Sequence, residues 1–413
     1  REINTEEIKA VMIAVLDEKT DETELDKSFD ELSGLLQTAG ARGIFTLAQR
    51  REKPDVRSYL GDGKCAELKR LCQDNGIELI VADDELSPVQ LKNLEDFTGV
   101  SVIDRSMLIL DIFASRASSA EGKLQVEIAQ LKYTIPRLAG KGEEMSRLGG
   151  GIGTRGPGES KLESDRRHLR RRINALERKL DELEANRNIR RRARKRSGIF
   201  TFAVAGYTNA GKSTLLNLLT DAGVTAEDKL FATLDPTVRK LTLPSGREVL
   251  IGDTVGFIKN LPHHLIHAFK STLDEVRYAD AIILLADASD PDIDGKMRVT
   301  LDLLDELGCG DKEIIKVYNK CDLLADNTTS DRDGIFISAR EAAGIDVLLE
   351  KMDDTAGKGF YSTEYFFPMT AQDRVAYLYG CAEVRSVEYT DNGVEVKAQV
   401  DAKTRDVLRQ WEK

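Results

Sequence analysis

The stretch IFTFAVAGYTNAGKSTLLNLLT, Ile199 to Thr220, constrains the fold more than any other part of the chain. Its first part is a β-branched and aromatic run that reads as a strand, and its last part has the apolar periodicity of a helix. Two glycines bracket the turn between them, which predicts one strand-loop-helix unit of an α/β sheet. The turn reads Gly206-Tyr207-Thr208-Asn209-Ala210-Gly211-Lys212-Ser213-Thr214. Its glycines let successive backbone amides wrap phosphate groups, Lys212 can reach the β- and γ-phosphates, and the Ser213 hydroxyl can ligate Mg²⁺. The Asn209 carbonyl can approach the α- and β-phosphate oxygens and a monovalent cation such as K⁺. Taken alone, this pattern suits ATP as well as GTP.

Later motifs decide the base. After the apolar run REVLIGDT, Asp253-Thr254-Val255-Gly256 places a carboxylate where it can hold Mg²⁺ through water, and a glycine whose amide can reach a γ-phosphate. After EIIKVYNK, Asn319-Lys320-Cys321-Asp322 supplies a carboxylate that accepts from the N1–H and the 2-amine of guanine. Adenine presents an acceptor at N1 and has no amine at C2, so Asp322 selects GTP over ATP. After GIFI, Ser338-Ala339-Arg340 can contact guanine O6 through a backbone amide. Between the first two motifs, Phe231-Ala232-Thr233-Leu234-Asp235 lies in KLFATLDPTVRK, the expected switch segment. Thr233 is the choice for the hydroxyl that joins Ser213 and Asp253 on Mg²⁺ when GTP is bound, with Thr237 as its rival, because spacing alone does not separate them. Lys212, Thr233 and Gly256 are the catalytic candidates. Phe257 stands where many hydrolytic GTPases keep a glutamine that orients the attacking water. Phenylalanine cannot do that, so hydrolysis is expected to be slow alone and to depend on a partner. A second reading of Phe257, as a hydrophobic anchor for the switch, is compatible with the first.

Ahead of these motifs, from Ala10 to Asp104, short β-branched runs alternate with helix-length stretches, which predicts a small parallel α/β sheet over residues 1–105. GDGK, Gly61 to Lys64, opens a helix and is read as a structural turn rather than a second phosphate site. Leu124, Ile128, Leu131, Ile135 and Leu138 recur at heptad spacing, as do Leu169, Ile173, Leu176, Leu180 and Leu183. Between the two series, residues 140–159 hold 8 of the 32 glycines and no apolar periodicity. An antiparallel helical hairpin is therefore expected over 106–197, with the glycine-rich loop at its tip and Pro136 kinking or ending the first arm.

The chain carries a net charge of −11, yet Lys161 to Arg196 holds 15 Lys or Arg against 6 Asp or Glu, a local +9 that leaves −20 for the rest. Its densest part, RRRARKR from Arg190 to Arg196, can pair guanidiniums with backbone phosphates and displace counterions. No aromatics are interleaved, so contact with folded RNA fits better than stacking on single-stranded bases. The five cysteines form no C-x-x-C pair, which suits reduced thiols in a cytosol and no metal-thiolate site. His263 and His267 share a helical spacing but lack a third ligand, so no zinc site is expected. Apolar runs are strand-length, no signal peptide precedes the first acidic residues, and no integral membrane association is expected. The chain opens on Arg1 rather than Met, which leaves room for a preceding segment.

With these residues in place, the chain resembles the HflX family of translation-associated GTPases. The marks are GYTNAGKSTL, LFATLDPT, DTVGFI and NKCD, together with FDELSGLLQTAGA, DDELSPVQLKNLE, GKLQVEIAQLKYTIPRL and GGIGTRGPGESKLESDRR. Ser160 and Ser164 depart from the threonines expected at the hairpin tip. The resemblance implies an α/β chain: a small parallel N-terminal domain, a long helical hairpin, a Ras-like P-loop GTPase domain over 198–357 and a small α+β domain over 358–413. It implies a cytoplasmic monomer that binds GTP, GDP and Mg²⁺ and associates with the large ribosomal subunit and its RNA. In some members it implies separation of stalled ribosomes under stress. The competing readings are a GTPase of ribosome assembly or RNA remodelling, an ATP-dependent RNA-unwinding factor, and a nucleotide-gated module that hardly hydrolyses.

Overall fold

A computed structural model describes residues 7–17, 21–137, 157–196, 199–220, 230–231, 237–259, 275–324, 332–358, 360–371 and 373–413. The chain divides into two units, Arg1–Ala185 with Thr225–Pro236 and Thr254–Asp274, and Asn186–Val224 with Thr237–Asp253 and Glu275–Lys413.

In the first unit the elements run β1 (Ile8–Leu16), α1 (Glu22–Ala39), β2 (Ala41–Arg50), α2 (Asp62–Asn75), β3 (Leu79–Ala82), α3 (Pro88–Thr98), β4 (Ser101–Asp104) and α4 (Arg105–Arg116). The strands form one parallel sheet in the order β2-β1-β3-β4. β1 is buried without interruption from Ala10 to Ala14, as a central strand covered on both faces must be. Local signals set the helix starts. Ser87 and Gln90 close a reciprocal capping box at α3, and Pro88 occupies the first turn, where its missing N–H costs nothing.

The helical hairpin is built from α5 (Ala120–Arg137) and α6 (Pro157–Arg196). Ile128, Ile173 and Leu176 are buried at the seam, with Leu124, Leu131, Ile135 and Leu180 packed against them. Arg172 bonds Glu127 at 2.5 Å and Lys132 pairs with Glu177 at 2.8 Å. In heptad terms both members of the first pair take one flanking position and both members of the second take the other. Like-with-like pairing of flanks is what antiparallel helices require. Pro136 is the penultimate residue of α5, and lacking an N–H it leaves the Lys132 carbonyl without its helical donor in the last turn. Pro157 starts α6, so the last three residues of the glycine-rich stretch are helical; proline's fixed φ suits a first turn. Residues 138–156, most of the expected tip, lie outside the described residues.

α4 carries two buried contacts. The Phe113 ring meets that of Phe231 edge-on, with centroids 4.7 Å apart. Arg105, 2% exposed, donates to Asp83 Oδ1 at 2.8 Å, to Glu31, and to the backbone carbonyl of Lys259 at 3.0 Å.

In the second unit β5 (Thr201–Gly206), α7 (Lys212–Thr220), β6 (Val238–Thr242), β7 (Glu248–Asp253), β8 (Ala281–Asp287), α8 (Ile293–Glu306), β9 (Glu313–Asn319), β10 (Ile335–Phe336) and α9 (Ile345–Gly357) build a six-stranded sheet. Its order is β10-β9-β8-β5-β7-β6, parallel except for the antiparallel β6–β7 pair. Phe202, Val204, Ile283, Leu285 and Val317 share its core with Leu215 and Leu216 of α7. β11 (Phe360–Pro368), α10 (Asp373–Cys381), β12 (Glu383–Thr390), β13 (Gly393–Asp401) and α11 (Ala402–Leu408) follow, with an antiparallel sheet in the order β11-β13-β12. β12 and β13 turn at Asp391 and Asn392.

Arg105 supplies the test of the first unit. Replacing it with Met leaves Glu31 and Asp83 without their shared counter-charge, and a loss of about 3–5 kcal/mol is expected in urea unfolding. Lys, a point charge without the planar fork, should recover only part of that. A loss below about 1 kcal/mol would show the cluster to be stabilised in some other way.

Candidate functional site

The carboxyl ends of β5, β7, β8 and β9 place the second unit's motif residues. Gly206 closes β5 so near β8 that a Cβ would lie 2.2 Å from the Leu285 carbonyl oxygen, which excludes any other residue there. The loop that follows holds two residues in the left-handed region, Asn209 at φ 62° and Gly211 at φ 90°. Left-handed residues of this kind occur in the backbone turns that form anion nests; between the two, the Ala210 amide donates to the Tyr207 carbonyl at 3.3 Å. Tyr207, Thr208 and Ala210 are buried, Thr214 lies in the first turn of α7, and the Thr208 hydroxyl has no partner among the described residues.

Lys212 is buried in the same loop. Its ammonium donates to the carbonyls of Gly206 at 3.1 Å and Tyr207 at 2.8 Å. Burial pushes its pKa down from 10.5 to about 8, against the opposing pull of the Asp253 carboxylate. Next to it the Ser213 hydroxyl donates to Asp253 Oδ2 at 2.9 Å. Asp253 is fully buried, and its amide donates to the Thr237 carbonyl at 2.9 Å. The Thr237 hydroxyl is buried without a partner among the described residues, so the rival of Thr233 sits beside Asp253. Ala232, Thr233, Leu234 and Asp235 lie outside the described residues, as do the three clustered histidines, His263, His264 and His267. In the first unit, Thr254, Val255, Gly256, Phe257 and Ile258 are all buried, and Phe257 is only 1% exposed. That burial accords with the hydrophobic-anchor reading of Phe257.

Asn319 ends β9 and joins two loops. Its carboxamide donates to the Ala210 carbonyl at 2.9 Å and accepts from the Ala339 amide at 2.9 Å. Lys320 follows at φ 63°, and its ammonium reaches Asp287 Oδ2 at 2.7 Å. Cys321 opens a short 3₁₀ turn, and one Asp322 carboxylate oxygen, Oδ1, is buried with no partner among the described residues. Ser338 is fully buried and exchanges backbone hydrogen bonds with Ala343, closing the turn that carries Ala339 and the exposed Arg340. The second unit thus brings Gly206–Thr214, Asp253, Asn319–Asp322 and Ser338–Arg340 onto one edge of one sheet. Sequence reasoning missed Asp287; its only local signal is an aspartate closing the apolar run AIILLAD.

No described helix is long and apolar enough to cross a membrane, and no group of three His, Cys, Asp or Glu among the described residues could hold a metal ion by itself.

Known families match most of the chain. A profile described as GTP-binding GTPase N-terminal covers residues 26–114, one described as GTP-binding GTPase Middle Region covers 116–194, and one described as 50S ribosome-binding GTPase covers 201–320. GTPase HflX of Caldanaerobacter subterraneus subsp. tengcongensis is 48% identical over 410 residues, 99% of this chain and 95% of that one. GTPase HflX of Lacrimispora saccharolytica is 45% identical over 403 residues, 96% of this chain and 95% of that one. Among solved structures, a GTP-binding protein of the archaeon Sulfolobus solfataricus in complex with GDP is 25% identical, covers 84% of this chain and 98% of its own, and has a TM-score of 0.45. Nearly full-length identity at this level, on a chain whose motifs gather at one sheet edge, makes the protein a member of the HflX family of GTPases.

Proposed function

We propose that this GTPase binds the large ribosomal subunit, sets its helical hairpin against ribosomal RNA and separates stalled ribosomes into subunits. The observation that carries the reading is the hairpin itself. Its 40-residue second arm extends about 60 Å at 1.5 Å per residue and contains the chain's one strongly basic stretch. A stiff basic arm on an otherwise acidic protein suits insertion into a large polyanion. The tip, 140–159, and Arg190 to Arg196 are the proposed RNA contacts. The family description that names the 50S ribosome supports the same partner.

In this reading the Gly206–Thr214 loop cradles the phosphates, and Lys212 faces the β- and γ-phosphates. Ser213 and Asp253, two hard oxygen donors already within 2.9 Å, fit Mg²⁺ together with Thr233. The ion, when bound, offsets charge on the β- and γ-phosphate oxygens. The Gly256 amide meets the γ-phosphate, and Asn209 holds K⁺. Asn319, Lys320, Cys321 and Asp322 receive guanine with Ser338, Ala339 and Arg340. Phe257, buried as an anchor, leaves no side chain at its position to orient water. Hydrolysis is therefore slow until the ribosome rigidifies the switch or adds the missing group, and it times release.

Two measurements follow from these assignments. GTP hydrolysis should rise by roughly 10²-fold or more when large subunits are added, and less in a variant shortened between Gly140 and Glu159. No stimulation with GTP binding intact would sink the ribosomal reading. Separately, unfolded Lys212 keeps its proton up to 10.5 whereas the folded residue loses it near 8, so unfolding takes up a proton in that window. Between pH 8 and 10 the nucleotide-free protein should gain stability relative to Lys212→Met, by about 1.4 kcal/mol per pH unit at most. A constant difference would mean that Lys212 stays charged in the folded loop.

A further inference from the structure

Lys320 is held in an unusual way. A non-glycine residue in the left-handed region carries strain that persists only where its surroundings impose it. Its ammonium is fixed by one carboxylate oxygen, Asp287 Oδ2, in a pair whose side chains are 25% and 19% exposed. Asp287 is itself fixed before it meets the lysine. Its other oxygen accepts from the Ser289 amide at 3.0 Å and the Ser289 hydroxyl at 2.6 Å. It pairs in register with Asn319 across the parallel β8–β9 ladder, and the Ala288 amide donates to the Asn319 carbonyl at 2.7 Å. The same strand-end segment carries Asp290, which pairs with Lys296, whose ammonium lies 5.2 Å over the Tyr207 ring. One segment thus fixes the lysine of the Asn319–Asp322 motif and sets another against the Gly206–Thr214 loop.

We infer that Asp287 is a positioning residue for guanine-nucleotide binding: it holds the Lys320 side chain in its working rotamer before nucleotide arrives. The inference rests on the nucleotide-site reading given above and adds to it a residue outside all four motifs. A free lysine stem has four rotatable bonds, and ordering it on binding costs rotamer entropy. Asp287 moves that ordering into the empty protein, so binding no longer bears it. The two flanks of Cys321 divide the work. The Asp322 carboxylate reads the edge of the base, where guanine differs from other purines. The Lys320 stem covers the face of the base, which purines share. Loss of Asp287 should therefore weaken purine nucleotides together and leave edge discrimination unchanged.

The experiment follows release of fluorescent mant-GDP and equilibrium binding of GTP and ITP by the full chain. Asp287→Asn should raise the release rate and lower both affinities by roughly tenfold, with the GTP-to-ITP ratio kept. Asp287→Glu should recover part of the loss, and Ser289→Ala should give a smaller change in the same direction. In a Lys320→Ala background, Asp287→Asn should add little, because the partner it serves is gone. Wild-type release rates in Asp287→Asn, or a full additional loss in the Lys320→Ala background, would overturn the inference. Asp322→Asn separates this from failure of the site reading: it should shift preference from GTP toward XTP. If Asp322→Asn leaves base preference unmoved, the reading of the site falls first. The nucleotide-free melting temperature of each variant distinguishes a binding change from loss of fold.

Discussion

The motif-bearing edge of the second unit's sheet depends on one carboxamide. Asn319 is 2% exposed, and its single acceptor and one of its donors are spent on backbone groups of two other loops, Ala339 N–H and Ala210 C=O. A carboxamide can do this because it carries both hydrogen-bonding senses within one rigid plane. Asp offers no donor when ionised, and Ser or Ala would leave one or both backbone groups buried and unmet, at about 1–3 kcal/mol each. The constraint reaches the glycines as well. A Cβ on Gly211 would stand 2.2 Å from Asn319 Nδ2, so the loop can close on β9 only with a residue that has no side chain. Gly211, Asn319 and Ala339 belong to different motifs in sequence and to one joint in space.

That joint explains why motif spacing carried so much information. The phosphate loop, Asn319 and the Ser338 turn each follow a strand, and strands of a parallel sheet end at the same edge. The strands announced themselves as apolar runs: REVLIGD, AIILLAD and EIIKVYN coincide with β7, β8 and β9 within a residue. In the first unit the same logic located β1 to β4 and the helices between them. The hairpin seam was legible because heptad spacing is a direct image of one helix face, and Leu138 alone of its ten positions falls outside the described residues.

What the sequence left hidden is of a different kind. Asp287 acts across a strand pair, and no spacing rule links position 287 to position 320; the link exists only because β8 and β9 run in register. Arg105 is an arginine in SVIDRSMLILDIF, legible as an oddity but not as the centre of a cluster whose acids come from α1 and the end of β3. Backbone handedness was equally silent. Asn209, Phe231 and Lys320 all adopt the left-handed region, which asparagine tolerates but phenylalanine and lysine seldom take.

Phe231 and Lys259 give the same point a mechanical form. Phe231 is buried against Phe113 in an edge-on aromatic contact, worth on the order of 1 kcal/mol beyond its area. The Lys259 carbonyl is tied to Arg105, and the residues before it, Val255, Phe257 and Ile258, are buried. Phe257 is then neither an error nor a catalyst. A glutamine there would place a polar group among buried neighbours and would loosen the anchor in order to reach water. Retaining phenylalanine keeps the run from Thr254 to Ile258 buried at the expense of a side chain that could act on water. In the ribosomal reading proposed above, that choice suits hydrolysis that waits for a partner.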